Sequence, residues 1–283
     1  MLSVRALLLT TVAMIAFAGN SLLCRVALRD TDIDAATFTS VRLASGALML
    51  YLVLWFRGNR SPLKLGSWGS ALALFGYAAT FSYAYGGLSA AMGALLLFGA
   101  VQATMIGVGI VRGNRPGGVQ WGGFVLAFSG LIGLLLPGLS APPVASAGLM
   151  ILAGVAWGIY SLRAKGAGEP TAVTTGNFIR AVPMALVLSL LMVSGTTVDM
   201  AGLGYAAASG AIASGLGYTI WYMALPMLQA TSAATIQLSV PVIAAVGGVL
   251  LLSETLTLRL LVAGIAILGG IAVVILAGQK KTA

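Results

Sequence analysis

The sequence predicts an all-α membrane protein of ten transmembrane helices, arranged as two inverted five-helix repeats. Three observations support this fold class. Of the 283 residues, 59% are hydrophobic and only 7% are charged, whereas soluble proteins carry roughly 25% charged residues. Apolar runs long enough to cross a bilayer recur from one end of the chain to the other. Features of the first half also recur in the second half at a nearly constant offset.

The ten predicted spans are apolar segments separated by charged residues, proline and glycine. The first begins just after Arg5 and continues past Asn20 without a small-residue cleavage site. We therefore expect it to be a retained span and not a signal peptide. The loops between the spans are too short to fold separately. The spans are 6–28, 36–56, 66–87, 90–111, 119–137, 145–165, 173–194, 201–225, 230–252 and 258–277.

The distribution of charge predicts that both termini are cytoplasmic. Loops rich in Lys and Arg stay on the cytoplasmic side of a bilayer. With the N-terminus inside, ten basic residues fall in cytoplasmic segments, and only Arg25, Arg29 and Arg259 fall on the other side. Five of the six acidic residues also lie on that other side. The net charge of +9 is thus explained by membrane orientation, and we expect no nucleic-acid partner.

An internal repeat organises the chain. A shift of 138–139 residues superposes matching residues across all five spans of each half. The superposed pairs include Gly19 and Gly158, Arg42 and Arg180, Gly76 and Gly215, Tyr83 and Tyr222, and Gly130 and Gly269. Because five spans are an odd number, the second half inserts upside down relative to the first. This predicts two domains, 1–138 and 139–283, with a substrate site near the midplane between them, as in secondary transporters.

The stretch Gln229–Glu254 carries Pro241 near its middle. A proline inside a helix leaves a carbonyl, here that of Gln237, without its usual partner. In hydrocarbon such a group is tolerated only where protein or a water-filled cavity satisfies it. We therefore predict that Pro241 is a hinge that shapes the transport path, with a kinked packing helix as the alternative. The repeat pairs this stretch with Ala90–Val111, which makes the fourth and ninth helices candidates for the molecular centre.

Aromatic residues within the spans predict the walls of a pocket. Trp157 and Tyr160 are three residues apart and share one face of the sixth helix. Tyr77 and Tyr218 lie in segments that face the other half. Aromatic walls with a few aimed polar groups are typical of small-molecule sites. The alternative is a belt of aromatic residues at the membrane interface.

Three amides lie in the middle of spans, namely Asn20, Gln102 and Gln237. Each can donate and accept hydrogen bonds, so each is a candidate to bind the backbone of an amino acid. Interhelical hydrogen bonding is the alternative. Gln102 and Gln237 are favoured because they lie on the two central helices.

Arg42 and Arg180 are the charged residues placed well inside spans. Such a residue usually faces the bundle interior or a hydrated path, where it can bind a substrate carboxylate. Alternatively, each side chain reaches its helix end and bonds backbone carbonyls. Their symmetric repetition favours this second interpretation.

Missing residue types exclude several functions. The chain has no histidine and a single cysteine, Cys24, so Ser-His-Asp catalysis, His-ligated zinc and an internal disulfide are excluded. We expect no enzymatic activity, no metal and no cofactor. No acidic residue lies in the middle of a span, which argues against ion coupling through a buried carboxylate. A channel should show a polar stripe along one helix, and the sequence shows isolated amides instead.

Several residues in the second half resemble the EamA repeat. They are Trp157-Gly158 with Lys165, Arg180, Tyr222 through Ala230 leading to Pro241, and Leu252-Ser253-Glu254 followed by Gly264 and Gly269. Two copies in ten spans resemble the drug/metabolite transporter superfamily over essentially the whole chain. Within it the chain most resembles YddG-type exporters of aromatic and other neutral amino acids. The first half differs from the usual repeat at Phe17-Ala18-Gly19 and at Gln102.

The resemblance implies a basket of ten helices around a central cavity that opens alternately to either side. It implicates Trp157, Tyr160 and the region around Pro241 in substrate binding. The leading hypothesis is a bacterial inner-membrane exporter of neutral, especially aromatic, amino acids, working in the lipid bilayer as a monomer or weak dimer. The alternative is an exporter of another small apolar metabolite or drug.

Overall fold

Every regular element that the structure describes is helical. The structure, a computed structural model, describes residues 3–58, 65–113, 115–136, 141–164, 166–228, 233 and 236–279. The helices are α1 (Val4–Asp30), α2 (Ala35–Phe56), α3 (Trp68–Tyr85), α4 (Ala90–Val111), α5 (Gly118–Leu135), α6 (Val144–Ala164), α7 (Pro170–Leu191), α8 (Met200–Ala208), α9 (Gly217–Ala224), α10 (Ser239–Leu252) and α11 (Leu258–Gln279). A π-helical segment, Ser209–Leu216, joins α8 to α9 without a break. Over the described ranges the chain therefore forms ten helical rods.

Seven of these helices are long and apolar enough to cross a membrane, namely α1, α2, α4, α5, α6, α7 and α11. Large apolar side chains on their outer surfaces are exposed, including Phe56, Leu190 and Ile265. Soluble proteins rarely expose large contiguous apolar patches. The outer surface of the helix bundle is therefore suited to lipid.

Side-chain caps explain where several helices begin. The first backbone N–H groups of a helix have no intrahelical acceptor and need another oxygen. Asp34 supplies one to α2, Ser67 to α3 and Ser89 to α4. Glu169 caps α7, where Pro170 occupies the first helical position, at which the missing N–H costs no helix bond.

The region around Pro241 corrects the sequence prediction. Ile236 and Gln237 are helical, Leu238 forms a turn, and α10 begins at Ser239. Pro241 thus lies in the first turn of α10, where a backbone N–H has no intrahelical acceptor. The prediction of a proline in the middle of one continuous helix over 230–252 is wrong, because the helix is interrupted just before the proline. Residues 229–232 and 234–235 of this stretch lie outside the described residues.

Small residues allow the helices to pack closely around α6. A Cβ atom at Gly154 would lie 2.6 Å from the carbonyl oxygen of Leu97, and one at Gly158 would lie 2.8 Å from Cβ of Thr104. Close approach through small residues is the common mode of helix packing in membranes. The result is that α6 lies directly against α4 and also packs against α3.

Polar contacts link the two halves of the chain at one end of the bundle. The carboxylate of Glu254, just after α10, accepts a hydrogen bond from Arg25 of α1 at 3.0 Å and from the backbone N–H of Ala90 at 2.8 Å. Arg29 donates to the carbonyl of Leu252 at 3.0 Å. These contacts tie the end of α10 to the end of α1 and the start of α4.

Asp34 makes a second link at the same end. Its carboxylate accepts hydrogen bonds from Ala36, Thr37 and the backbone N–H of Thr197, in the loop before α8. Burial acts to raise the pKa of Asp34, but these hydrogen bonds outweigh it and hold the pKa below its usual value. At the opposite end Arg163 donates to Ser70 and the backbone N–H of Ser67 donates to Asn177.

Candidate functional site

A small buried cavity lies where α1, α3, α4, α6, α9 and the π-helical segment meet. Its volume is about 20 Å³, which is room for roughly one water molecule. Six of its ten lining residues carry an aromatic ring. The lining residues are Phe17, Asn20, Ser21, Tyr77, Phe81, Leu97, Phe98, Trp157, Ala213 and Tyr218. We refer to this space as the central cavity.

The aromatic side chains form a continuous wall. The ring of Trp157 lies 4.8 Å from that of Tyr77 and 5.1 Å from that of Tyr218, measured between centroids. Phe17 completes the wall at 5.7 Å from Tyr218. Contacts in this range stabilise aromatic pairs beyond the area that they bury. The wall therefore joins α1, α3, α6 and α9.

A polar network runs behind one side of the wall. The hydroxyl of Ser209 donates to the side-chain oxygen of Asn20 at 2.6 Å. The amide nitrogen of Asn20 donates to the hydroxyl of Tyr77 at 3.2 Å, and Arg42 donates to the same hydroxyl at 2.9 Å. This network connects α1, α2, α3 and the π-helical segment, and Asn20 and Tyr77 also line the central cavity.

Arg42 is a buried cation with an unsatisfied donor. It is 2% exposed, and its guanidinium carbon lies 5.1 Å from the ring centroid of Tyr77 and 4.8 Å from that of Phe81. These cation–π contacts stabilise the charge. Its Nη1 atom, however, has no hydrogen-bond partner within the described residues. A buried donor left unpaired costs about 1–3 kcal/mol, and more when charged.

The π-helical segment brings the backbone close to Arg42. A Cβ atom at Gly210 would collide with the carbonyl oxygen of Arg42 and the hydroxyl of Ser45. Only glycine fits at this crossing of α2 with the π-helical segment. Short π-helical insertions occur frequently at functional sites, and this one carries Ser209 and Ala213 to the network and the cavity.

Four of the predicted site residues come together in the central cavity, namely Asn20, Tyr77, Trp157 and Tyr218. Tyr160 is fully buried beside Trp157, with 5.4 Å between ring centroids, and lies behind the wall.

The other predicted residues lie elsewhere. Gln102 is buried on α4, Gln237 is half-buried before α10, and Pro241 is buried in the first turn of α10; none of them lines the central cavity. Arg180 donates to the carbonyls of Leu65 and Gly176, which are backbone groups at one end of the bundle.

Sequence reasoning missed several wall residues. Phe17 lies three residues before Asn20, and Phe81 lies four residues after Tyr77. These spacings place each on the same helix face as the predicted residue. The signal was therefore present, but phenylalanine is so common in apolar spans that it does not stand out.

A second, larger cavity lies to one side, between α4, α5, α6 and α11. Its volume is about 680 Å³, and none of the described residues that line it is charged. Thr104 supplies the one aliphatic hydroxyl in its lining, and Trp121 lies on the α5 side. We refer to this space as the lateral cavity, which is suited to an apolar occupant.

Membrane-length helices around a buried polar and aromatic cavity define an integral membrane protein of the transporter class, and comparison with known proteins supports this. The chain belongs to the EamA-like transporter family, whose model matches residues 4–136 and 145–276. It therefore contains two EamA repeats and falls within the drug/metabolite transporter superfamily.

Two individual proteins show the extent of the likeness. The chain is 56% identical over 271 residues to a protein of Pseudomonas aeruginosa PAO1 named "Uncharacterized protein PA1977", covering 96% of this chain and 94% of the relative. A solved crystal structure matches with a TM-score of 0.69 and 17% identity, covering 97% of this chain and 98% of the other. At that identity the match concerns the fold alone.

Proposed function

We propose that this protein exports neutral amino acids, aromatic ones in particular, across the bacterial inner membrane by alternating access. The observation that carries this proposal is the central cavity, where six aromatic rings and the Asn20–Tyr77 pair share one small space. Aromatic rings complement an aromatic side chain, and the polar groups complement the polar end of an amino acid. Trp157, Tyr77 and Tyr218 form the wall against which the substrate ring packs.

The packing of the helices supports two inverted repeats. If α1 to α5 correspond to α6, α7, the α8–α9 rod, α10 and α11, the most extensive helix contacts have counterparts. α3 packs against α6 as the α8–α9 rod packs against α1, and α4 packs against α6 as α10 packs against α1. α2 packs on α7, α4 on α10 and α5 on α11. The two helices of each pair are counterparts in the two repeats, so a two-fold rotation maps each pair onto itself. This is the pattern expected of a pseudo-two-fold axis.

Substrate binding requires the cavity walls to separate. A volume of about 20 Å³ holds roughly one water molecule, which is far less than an amino acid needs. Polar links join the halves at both ends of the bundle, through Glu254 at one end and Ser70 at the other. Rocking of the halves would break the polar links at one end of the bundle while those at the other end remain. Both termini stay on the cytoplasmic side.

The positions of the acidic residues support transport without ion coupling. Asp30, Asp32, Asp34, Glu169, Asp199 and Glu254 are the six acids of the chain, and all lie at helix ends or in loops. A carboxylate near mid-membrane is the usual carrier of a coupling ion. We expect labelled phenylalanine to leave proteoliposomes down its own gradient, and a requirement for a proton or sodium gradient would contradict this.

The proposal is tested by counterflow of labelled phenylalanine in proteoliposomes, against a panel of unlabelled metabolites. We expect saturable exchange, with competition from tryptophan and tyrosine. Trp157→Ala should reduce the rate strongly, because it removes the ring between Tyr77 and Tyr218. Trp68→Ala is the matched control, because that side chain is 62% exposed at the start of α3. Equal rates for the two variants would contradict the proposed site.

A second candidate function is export of an apolar metabolite or drug, and the lateral cavity favours it. The lateral cavity is lined by apolar residues of α4, α5, α6 and α11, and α5 packs directly against α11. Ala103→Trp places a large side chain in this cavity. If apolar compounds are the substrates, this variant should lose their transport, while Trp68→Ala should retain it. Unchanged transport of an apolar dye by Ala103→Trp would remove the second candidate.

A further inference from the structure

We propose that Arg42 and Tyr77 form a carboxylate-binding site, so that the substrate class is aromatic carboxylates whether or not they carry an α-ammonium group. The inference rests on the proposed function in one respect: a small aromatic molecule occupies the central cavity. It goes further, because it identifies the polar group that the protein recognises and the one that it ignores.

Two neighbouring donors lack an acceptor. Nη1 of Arg42 has no hydrogen-bond partner within the described residues, although the side chain is 98% shielded. The hydroxyl of Tyr77 accepts bonds from both Arg42 and Asn20, so its own proton remains to be donated. The structure records no acceptor for that proton among the described residues. A carboxylate offers two oxygens and suits the planar fork of a guanidinium.

The charge of Arg42 also has no anionic partner among the described residues. Glu254 and Asp30 are paired with Arg25 and Arg29 at the end of the bundle, and the remaining acids lie at helix ends or in loops. The positive charge of Arg42 is therefore not neutralised by a carboxylate of the protein in the structure. A buried cation in a membrane normally pairs with an opposite charge or with backbone carbonyls. A substrate carboxylate supplies that charge once the cavity walls separate, because Arg42 contacts the lining residue Tyr77 but does not itself line the closed cavity.

An ammonium group finds no comparable partner. No acidic side chain lines the central cavity. Aromatic faces can attract a cation, but the guanidinium of Arg42 already lies over Tyr77 and Phe81. A second cation beside it would be repelled. The carboxylate is thus the required group, and the ammonium contributes little.

The first experiment needs no variant. Binding of four compounds to the purified wild-type protein is measured by thermal shift and by quenching of tryptophan fluorescence: 3-phenylpropanoate, phenylalanine, 3-phenylpropanamide and phenethylamine. We expect the two carboxylates to bind with similar affinity. The amide and the amine should bind at least about tenfold more weakly, which is the loss expected when a charge-assisted hydrogen bond is removed. An amine or amide that binds as tightly as the acid would overturn the inference.

Variants then assign the preference to Arg42. Arg42→Gln should abolish the difference between phenylpropanoate and phenylpropanamide, and Arg42→Lys should retain part of it because the charge remains. Arg180→Gln is the matched control, since its guanidinium donates to backbone carbonyls and should leave the preference unchanged. Tyr77→Phe keeps the ring and removes the hydroxyl, and it should weaken the acid more than the amide. If Arg42→Gln does not fold, Arg42→Lys and Tyr77→Phe decide the assignment, and an acid preference unchanged in both would overturn it.

The outcomes separate this inference from the proposed function. If the acids bind preferentially but phenylalanine shows no counterflow, the carboxylate site stands and the proposed transport of amino acids fails. If phenylalanine is exchanged and Arg42→Gln keeps the full acid preference, the transport function stands and the carboxylate site is overturned.

Discussion

Arg42 and Arg180 show how residues that the repeat superposes acquire different roles. Arg180 donates to two backbone carbonyls and is half-buried. Arg42 instead lies among aromatic rings with one nitrogen unpaired. The difference follows from the neighbours, because Tyr77 and Phe81 of α3 cover Arg42 whereas Leu65 offers Arg180 a carbonyl. An internal repeat therefore predicts position but not chemical partner.

The contact at Gly210 gives a prediction at the scale of one residue. Gly210→Ala would drive a methyl group into the carbonyl oxygen of Arg42, and overpacking of this kind typically costs about 1–3 kcal/mol. Gly204→Ala is the control, because nothing lies within 4 Å of a Cβ atom there and alanine favours helix by about 1 kcal/mol. Thermal unfolding in detergent should show a lower midpoint for Gly210→Ala and an equal or higher one for Gly204→Ala. The reverse order would contradict this packing.

Asp34 gives a prediction on pH. Because its pKa is lowered in the folded state, its stabilising effect is present above the unfolded value of about 3.9 and is lost as the pH falls through the folded value. Asp34→Asn removes the charge but keeps an acceptor, so it should flatten the loss of stability below about pH 4. Asp32→Asn is the control, since Asp32 is exposed and accepts no hydrogen bond within the described residues. Identical acid-unfolding curves for wild type and Asp34→Asn would contradict the prediction.

At the scale of helices, composition predicted most of the described architecture. The predicted boundaries agree with the helical rods to within three residues, except in the ninth span, where α10 begins at Ser239 after a turn at Leu238 and the predicted start lies outside the described residues. Hydrocarbon length and loop charges set these boundaries, and both are local properties of the chain. The break at Leu238 and the π-helical segment were not predicted, because each depends on packing against other helices. The close approach of Gly210 to Arg42, for example, exists only in the folded protein, so no local pattern in the sequence reveals it.

The candidate site was predicted only in part, again because contacts between distant helices are not specified by local sequence. Asn20, Tyr77, Trp157 and Tyr218 stand out as polar or amphipathic residues in apolar spans, and they meet in the central cavity. The hydrogen bond between Asn20 and Tyr77 joins residues 57 positions apart, and no local pattern specifies it. Gln102 has the same local character as Asn20, yet it lies outside the lining, because helix rotation decides which face meets the cavity.

Pro241 provides the test at the scale of a helix. Because it lies in the first turn of α10, Pro241→Ala regains no intrahelical bond, and we expect the free energy of unfolding to change by less than about 1 kcal/mol. Pro183 lies inside α7 and is exposed, so Pro183→Ala should raise stability by restoring a helix bond. If Pro241 shapes the transport path, its variant should lose counterflow activity despite normal stability. Full activity in Pro241→Ala would remove that role.

At the scale of the whole molecule, the links between the halves act as closures at the two ends. The side chains of Arg25 and Glu254 are 16% and 7% exposed, so this pair is largely shielded from water, and breaking a buried pair by removing one partner is costly. Glu254 also holds the first N–H of α4. One residue of the second half thus fastens two helices of the first, and alternating access requires this contact to release whenever that end opens.

The single cysteine reports on this release. Cys24 precedes Arg25 in α1 and is 0% exposed, so a maleimide can reach it only when the helices at that end separate. Glu254→Gln weakens the closure. If it removes about 1.4 kcal/mol from the closed state, the alkylation rate of Cys24 should rise about tenfold. Asp30→Asn is the matched control, because it breaks the Arg29–Asp30 pair within the same helix and leaves the halves joined. Cys24→Ser gives the background, and a rate that rises equally in Glu254→Gln and Asp30→Asn would show that the link between the halves is not the closure.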